Sequence, residues 1–102
     1  TFPQYEYPHT LARYAECGRF CGVTGKDDAE VFKKFLVKIT ELKTAVGVKP
    51  TIQAYGVDEK YFLDTLDAMV EQAFDDQCTG ANPRYPLMSE LKEMYLKAYY
   101  GK

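Results

Sequence analysis

The chain has 102 residues and a formal net charge of −2, enough for one hydrophobic core in a small domain or in part of a larger one. Hydrophobic residues make up 46% and charged residues 27%, the balance of an ordinary globular protein. The charge gives no footprint for nucleic acid, no face is basic and amphipathic enough for a membrane surface, and no apolar run approaches the ~20 residues of a spanning helix. Cysteine occurs three times, at Cys17, Cys21 and Cys78. An odd count at these spacings is not a disulfide framework. Beside a single His it points to a reducing, cytoplasmic setting. There is no signal-peptide pattern and no methionine at position 1, so Thr1 is expected to mark a cut in a longer chain. Nine Tyr and six Phe are expected to fill helix–helix interfaces, with hydroxyls turned to the rim.

Thr1 to Pro8 reads as extended, because Pro3 and Pro8 disfavour helix in the residue before each. A first helix starts around His9 or Thr10, with Thr10 as its cap. Leu11, Tyr14, Ala15, Gly18 and Cys21 share one helical face, and Gly22 and Gly25 end the helix. Asp27 or Asp28 caps a second helix. Its stripe is Phe32, Phe35, Leu36, Ile39, Leu42 and Val46, with Gly47 and Pro50 as stop signals. Thr51 to Gly56 is too short for a normal amphipathic helix and reads as a capped single turn. Asp58 caps a long third helix carrying Phe62, Leu66, Met69, Val70 and Ala73. Pro86 suits the first position of a fourth helix, which carries Leu87, Leu91, Met94, Tyr95 and Ala98 and closes at Gly101. No segment alternates with period 2. The expected fold is all-α: four main helices plus a short capped turn, in one helical subdomain over 1–102.

The chain is organised around the stretch Ala73 to Pro86, which joins the third and fourth helices and has no apolar period of its own. Gly80 is expected to supply a turn with φ > 0. Pro83 pushes Asn82 towards extended geometry. Thr79 and Asn82 can bond nearby backbone and stiffen the turn. The loop is either a rigid connector or the wall of a site. Acidic Asp75 and Asp76 at a helix C-terminus are unfavourable and call for a partner, with Arg84 the nearest candidate. Neither a GxGxxG nor a Walker pattern is present.

The remaining candidates read as structure. His9 has no second His to share a metal with and reads as a helix-start or surface residue. Cys17 and Cys21 lack a third and fourth ligand for zinc and are expected in the core, since free Cys is among the most buried residue types. Adjacent carboxylates at 75 and 76 point apart and do not make a magnesium or calcium site. The Lys-rich side of the second helix is a solvated face.

The stretch AFDDQCTGANPRYPLMSELKEMYLKAYYG, together with Arg13 to Glu16 (RYAE) and the Gly56-Val57-Asp58 helix start, resembles the carboxy-terminal end of bifunctional aldehyde–alcohol dehydrogenases. The run from Cys78 to Arg84 also resembles the shorter Cys-Thr-x-x-Asn-Pro-Arg form of the wider iron-dependent alcohol dehydrogenases. Cys17 and Gly18 depart from the aliphatic residue and Ala usual there. The resemblance implies a two-part parent enzyme: an α/β part binding NAD, and a helical part holding a divalent metal, usually iron, on one Asp and three His. Those ligands are expected upstream of Thr1, so this chain is assigned no catalytic, cofactor-binding or metal-binding residue. The parent is expected to be a homo-oligomer or filament that reduces acetaldehyde or similar short aldehydes. The chain's partner in cis is the rest of that domain. Cys78, Thr79 and Asn82 are the candidate wall of the parent's cleft, and Pro83 and Arg84 its structural supports. The alternative is a free-standing helical interaction module.

Overall fold

Four helices account for most of the chain: α1 (Pro8–Phe20), α2 (Asp28–Ala45), α3 (Glu59–Asp75) and α4 (Met88–Tyr100), with 3-10 turns over Gln53–Tyr55 and Thr79–Ala81. The structure, a computed structural model, describes residues 8–82 and 84–102. Among these there is no strand, and no helix is long and apolar enough to cross a membrane. The extended reading of the first seven residues falls outside the described part. The chain divides into two compact units, Thr1–Val48 and Lys49–Lys102.

In the first unit, α1 begins at Pro8, a position where the missing N–H costs nothing. Thr10 is therefore inside the helix and is not its cap. The helix ends in a Schellman turn. Gly22 takes φ 81° and donates to the Arg19 carbonyl at 2.9 Å, while Val23 donates to the Gly18 carbonyl at 2.9 Å. Two orphan carbonyls are satisfied at once. The turn folds Val23 back into the core, where it is 8% exposed, and leaves Cys21 outside. Cys17 and Cys21 are both exposed, contrary to the core placement expected of them.

Asp27 caps α2, its carboxylate accepting the Glu30 N–H at 2.8 Å. Glu30 in turn accepts the Lys26 N–H at 2.8 Å. That bond, followed by the Lys34 ammonium, holds the Glu30 carboxyl below its usual range. Ala15, Val23 and Val31 form the buried cluster with Phe35 against it. Gly18 permits the close approach: a Cβ there would lie 3.0 Å from Val31 Cγ1 and 3.2 Å from Phe35 Cβ. Leu42 and Val46 stand about 10 and 16 Å beyond Phe35 along α2 at 1.5 Å per residue. They are 63% and 67% exposed, so only the first half of the expected α2 stripe is buried. A second Schellman turn at Gly47, φ 80°, ends α2 as its sequence indicates.

The second unit is built on α3 and α4. Thr51 caps the short turn by accepting the Ala54 N–H at 3.0 Å, and Gly56 ends it with φ 85°. Asp58 accepts the Tyr61 N–H at 2.9 Å and starts α3. Phe62, Leu66 and Val70 of α3 and Leu91 and Tyr99 of α4 form the buried cluster, with Met69, Ala73 and Tyr95 packed against it. The Phe62 and Tyr99 rings stack at 4.3 Å. The α4 stripe is rotated from the expected one. Leu87 and Met94 are exposed, and burial follows Leu91, Tyr95 and Tyr99. A large ring at 99 gains more from burial than Ala98 does, so it sets the phase of the helix. The helix also starts at Met88, with Leu87 as its cap. Pro86 is buried ahead of the first turn and does not form part of it. Gly101 closes α4 with φ 80°, and a Cβ there would meet Thr51 Cγ2 at 2.8 Å.

These two patterns of burial predict unequal costs for two leucines. Leu66→Ala should destabilise the chain by about 2–5 kcal/mol, as cavities in packed cores do. Leu42→Ala should cost less than about 0.5 kcal/mol, as exposed substitutions do. Urea denaturation of the two variants checks the order; equal losses would place Leu42 in a packed core.

Candidate functional site

The connection between α3 and α4 is fastened to both helices. At its start Asp76 accepts the Cys78 N–H at 2.7 Å and, through its carbonyl, the Thr79 N–H at 3.0 Å. The Thr79 hydroxyl donates to the Ala73 carbonyl in the last turn of α3. At its end the Asn82 amide donates to the Arg84 carbonyl, and the Arg84 guanidinium pairs with Glu90 in the first turn of α4. The second oxygen of Glu90 accepts the Leu87 N–H at 2.8 Å. Phe74 and Tyr85 add an edge-to-face contact at 5.6 Å. Thr79 and Asn82 thus bond nearby backbone as their residue types indicate.

Two expectations for this loop are corrected. Gly80 lies in the 3-10 turn and is not among the glycines with positive φ. Its added Cβ would meet only Tyr85, at an ordinary 3.9 Å. Gly80→Ala should therefore leave stability within about 0.5 kcal/mol of the parent chain, measured by the same denaturation. Arg84 pairs with Glu90, not with Asp75 or Asp76, because Asp76 already serves the backbone of the turn while Glu90 faces the loop from α4. Pro83 lies outside the described residues.

Of the candidate wall residues, Cys78 is exposed, while Thr79 and Asn82 are half-buried. Thr79 also lines an open groove of about 350 Å³ with Met69, Gln72, Ala73, Asp76 and Tyr95. Apolar spacing alone puts Met69, Ala73 and Tyr95 wholly in the core and passes over Gln72. The available signal is a second spacing: Met69, Gln72, Ala73 and Asp76 recur at i, i+3, i+4 and i+7, one face of α3. Among the described residues no three His, Cys, Asp or Glu side chains converge on a metal position. The loop and groove residues therefore do not fit a four-coordinate divalent metal.

The charged groups of the unit are tuned by their neighbours. The Arg84 guanidinium, then the Leu87 N–H, hold the Glu90 carboxyl below its ordinary value of 4.5. Burial, then Glu59 and Asp58, push the Tyr99 phenol up. The hydrogen bond to Glu59, then burial, does the same at Tyr100. A depressed carboxyl stabilises the fold fully above its unfolded pKa, and that contribution is lost as pH falls through the lower folded value. Glu90→Gln should therefore flatten the loss of stability below about pH 4.5 while weakening the chain at neutral pH. Denaturation across about pH 2–7 checks this; an unchanged acid limb would show that the pair does not hold the loop.

Against known proteins, the carboxy-terminal model of the Fe-containing alcohol dehydrogenase family matches residues 1–99. The bifunctional aldehyde-alcohol dehydrogenase of Escherichia coli is 46% identical over 103 residues, covering 99% of this chain and 12% of that protein. The aldehyde-alcohol dehydrogenase of Clostridium acetobutylicum is 46% identical over 97 residues, 95% of this chain and 11% of its own length. An NADPH-dependent butanol dehydrogenase of Clostridium saccharobutylicum is 30% identical over 92 residues, 90% of this chain and 24% of its own length. The chain thus spans from 11% to 24% of the length of these relatives. A match over 99 of 102 residues places this helical chain in the Fe-containing alcohol dehydrogenase family, as its carboxy-terminal part.

Proposed function

We propose that the chain is the carboxy-terminal helical portion of an NAD-dependent, iron-containing alcohol dehydrogenase. The parent reduces acetaldehyde or a similar short aldehyde, within a bifunctional aldehyde–alcohol dehydrogenase. The observation that carries the reading is the family match across residues 1–99, and the named activities of the relatives support the aldehyde and alcohol chemistry. In this reading the metal and the dinucleotide belong to the remainder of the domain, which is the partner of this chain in cis. The parent is placed in the cytoplasm as a homo-oligomer or filament.

The role of this chain is positional. Cys78, Thr79 and Asn82 form one wall of the parent's cleft, held by the bonds to Ala73 and Arg84. Loops carried on packed helices are common places for binding residues, and rigidity is what a wall needs to discriminate substrates by size. Cys78 lines the pocket and is not a nucleophile: hydride transfer needs no covalent intermediate, and the sequence holds a single His, His9. An activated thiol needs such a base beside it.

The test uses the full-length enzyme. Cys78→Ala should widen the tolerance for longer aldehydes and Cys78→Phe should narrow it. The shift in kcat/KM preference should be about 1–3 kcal/mol per methylene accommodated or excluded. Normal folding of both variants with an unchanged chain-length profile would remove Cys78 from the cleft.

A further inference from the structure

Cys17 and Cys21 are exposed thiols at the end of α1. The Cys21 N–H donates to the Cys17 carbonyl at 3.1 Å, so the two residues stand one helical turn apart on one face. The Schellman bonds from Gly22 and Val23 lock that turn. We propose that this pair forms a two-thiolate site for one soft cation of the Cu(I) class.

Geometry decides between a disulfide and a bridging ion. Side chains at i and i+4 on a helix have Cβ atoms about 5–6 Å apart. A disulfide needs about 3.5–4.5 Å, so oxidation would have to unwind a turn held by the bonds from Cys21, Gly22 and Val23. An interposed ion adds two metal–sulfur bonds, each about 2.3 Å in the zinc case, and spans the wider gap without unwinding. Among the described residues no third His, Cys, Asp or Glu joins the pair. That disfavours zinc, which takes four ligands, and favours a soft ion satisfied by thiolates alone.

Binding is an exchange without redox change. Each thiol releases its proton to solvent, two metal–sulfur bonds form, and the bis-thiolate Cu(I) complex carries one net negative charge. A helix C-terminus opposes negative charge. One cation from α2 offsets this: the Lys38 ammonium donates to the Cys21 carbonyl at 3.2 Å.

The experiment titrates the chain, with Cys78→Ser to leave only the pair, against Cu(I) held anaerobically by a chromogenic chelator. The expected result is one Cu(I) per chain, ultraviolet thiolate-to-copper absorption, and no change in oligomeric mass. Cys17→Ser or Cys21→Ser alone should weaken binding by on the order of 10²–10⁴-fold, the advantage of two linked donors over one. Far-UV circular dichroism of each variant should match the parent chain, since both positions are exposed. Retained affinity in either single variant, or one ion shared between two chains, would overturn the assignment. The charge support is read separately with Lys38→Met, which should weaken Cu(I) binding; unchanged affinity would remove Lys38 from the site.

Discussion

The second unit depends on one side chain. Tyr99 is 1% exposed, among the largest fully buried side chains. Its ring lies on Phe62 of α3, and its hydroxyl donates to the Val57 carbonyl at 2.8 Å, just ahead of the α3 cap. A buried phenol must find an acceptor or bear the desolvation of its hydroxyl. Here the acceptor is the segment that starts the neighbouring helix, so one residue ties the end of α4 to the start of α3. Tyr100 adds a bond to Glu59 in the first turn of α3, at 2.6 Å. These bonds close one end of the helix pair, and the loop joins the two helices at the other.

What the sequence shows best is where helices stop, and where Asp27 and Asp58 start them; α1 and α4 start at Pro8 and Met88, not at the positions read from Thr10 and Pro86. Asp27, Asp58, Gly47, Gly56 and Gly101 all act as their types indicate, because a cap is decided by a few atoms in neighbouring residues. Burial is harder to read, because it depends on what lies opposite. The α2 stripe continues through Leu42 and Val46 in sequence, but the close contact with α1 is at Gly18, against Val31 and Phe35 near its start. The α4 stripe is a question of phase, and Tyr99 wins it over Ala98 through its contact with Phe62, which is remote in sequence. Cys21 has helical periodicity with the core face, yet the Schellman turn gives its place to Val23.

The loop illustrates the same division. Its rigidity is legible in Thr79 and Asn82, whose short polar side chains bond nearby backbone. Its ion pair is not: Arg84 has acids on both sides in sequence, and only the fold shows that Glu90 faces it. The groove beside Thr79 is legible only in part, since Met69 and Tyr95 read as core until the edge of the helix pair is seen. Family membership adds a setting in which the proposed wall has a use, while the proposed copper site rests on the turn that ends α1 and on Lys38 of α2.

The most direct test is a structure of the full-length enzyme with a nicotinamide cofactor and an unreactive aldehyde analogue bound. The loop is expected to keep its bonds from Thr79 to Ala73 and from Asn82 to Arg84, with the Cys78 sulfur within about 4.5 Å of the analogue or the nicotinamide. A loop seated against other protein surface, with neither ligand within reach of Cys78, Thr79 or Asn82, would contradict the assignment of this segment as a wall of the cleft.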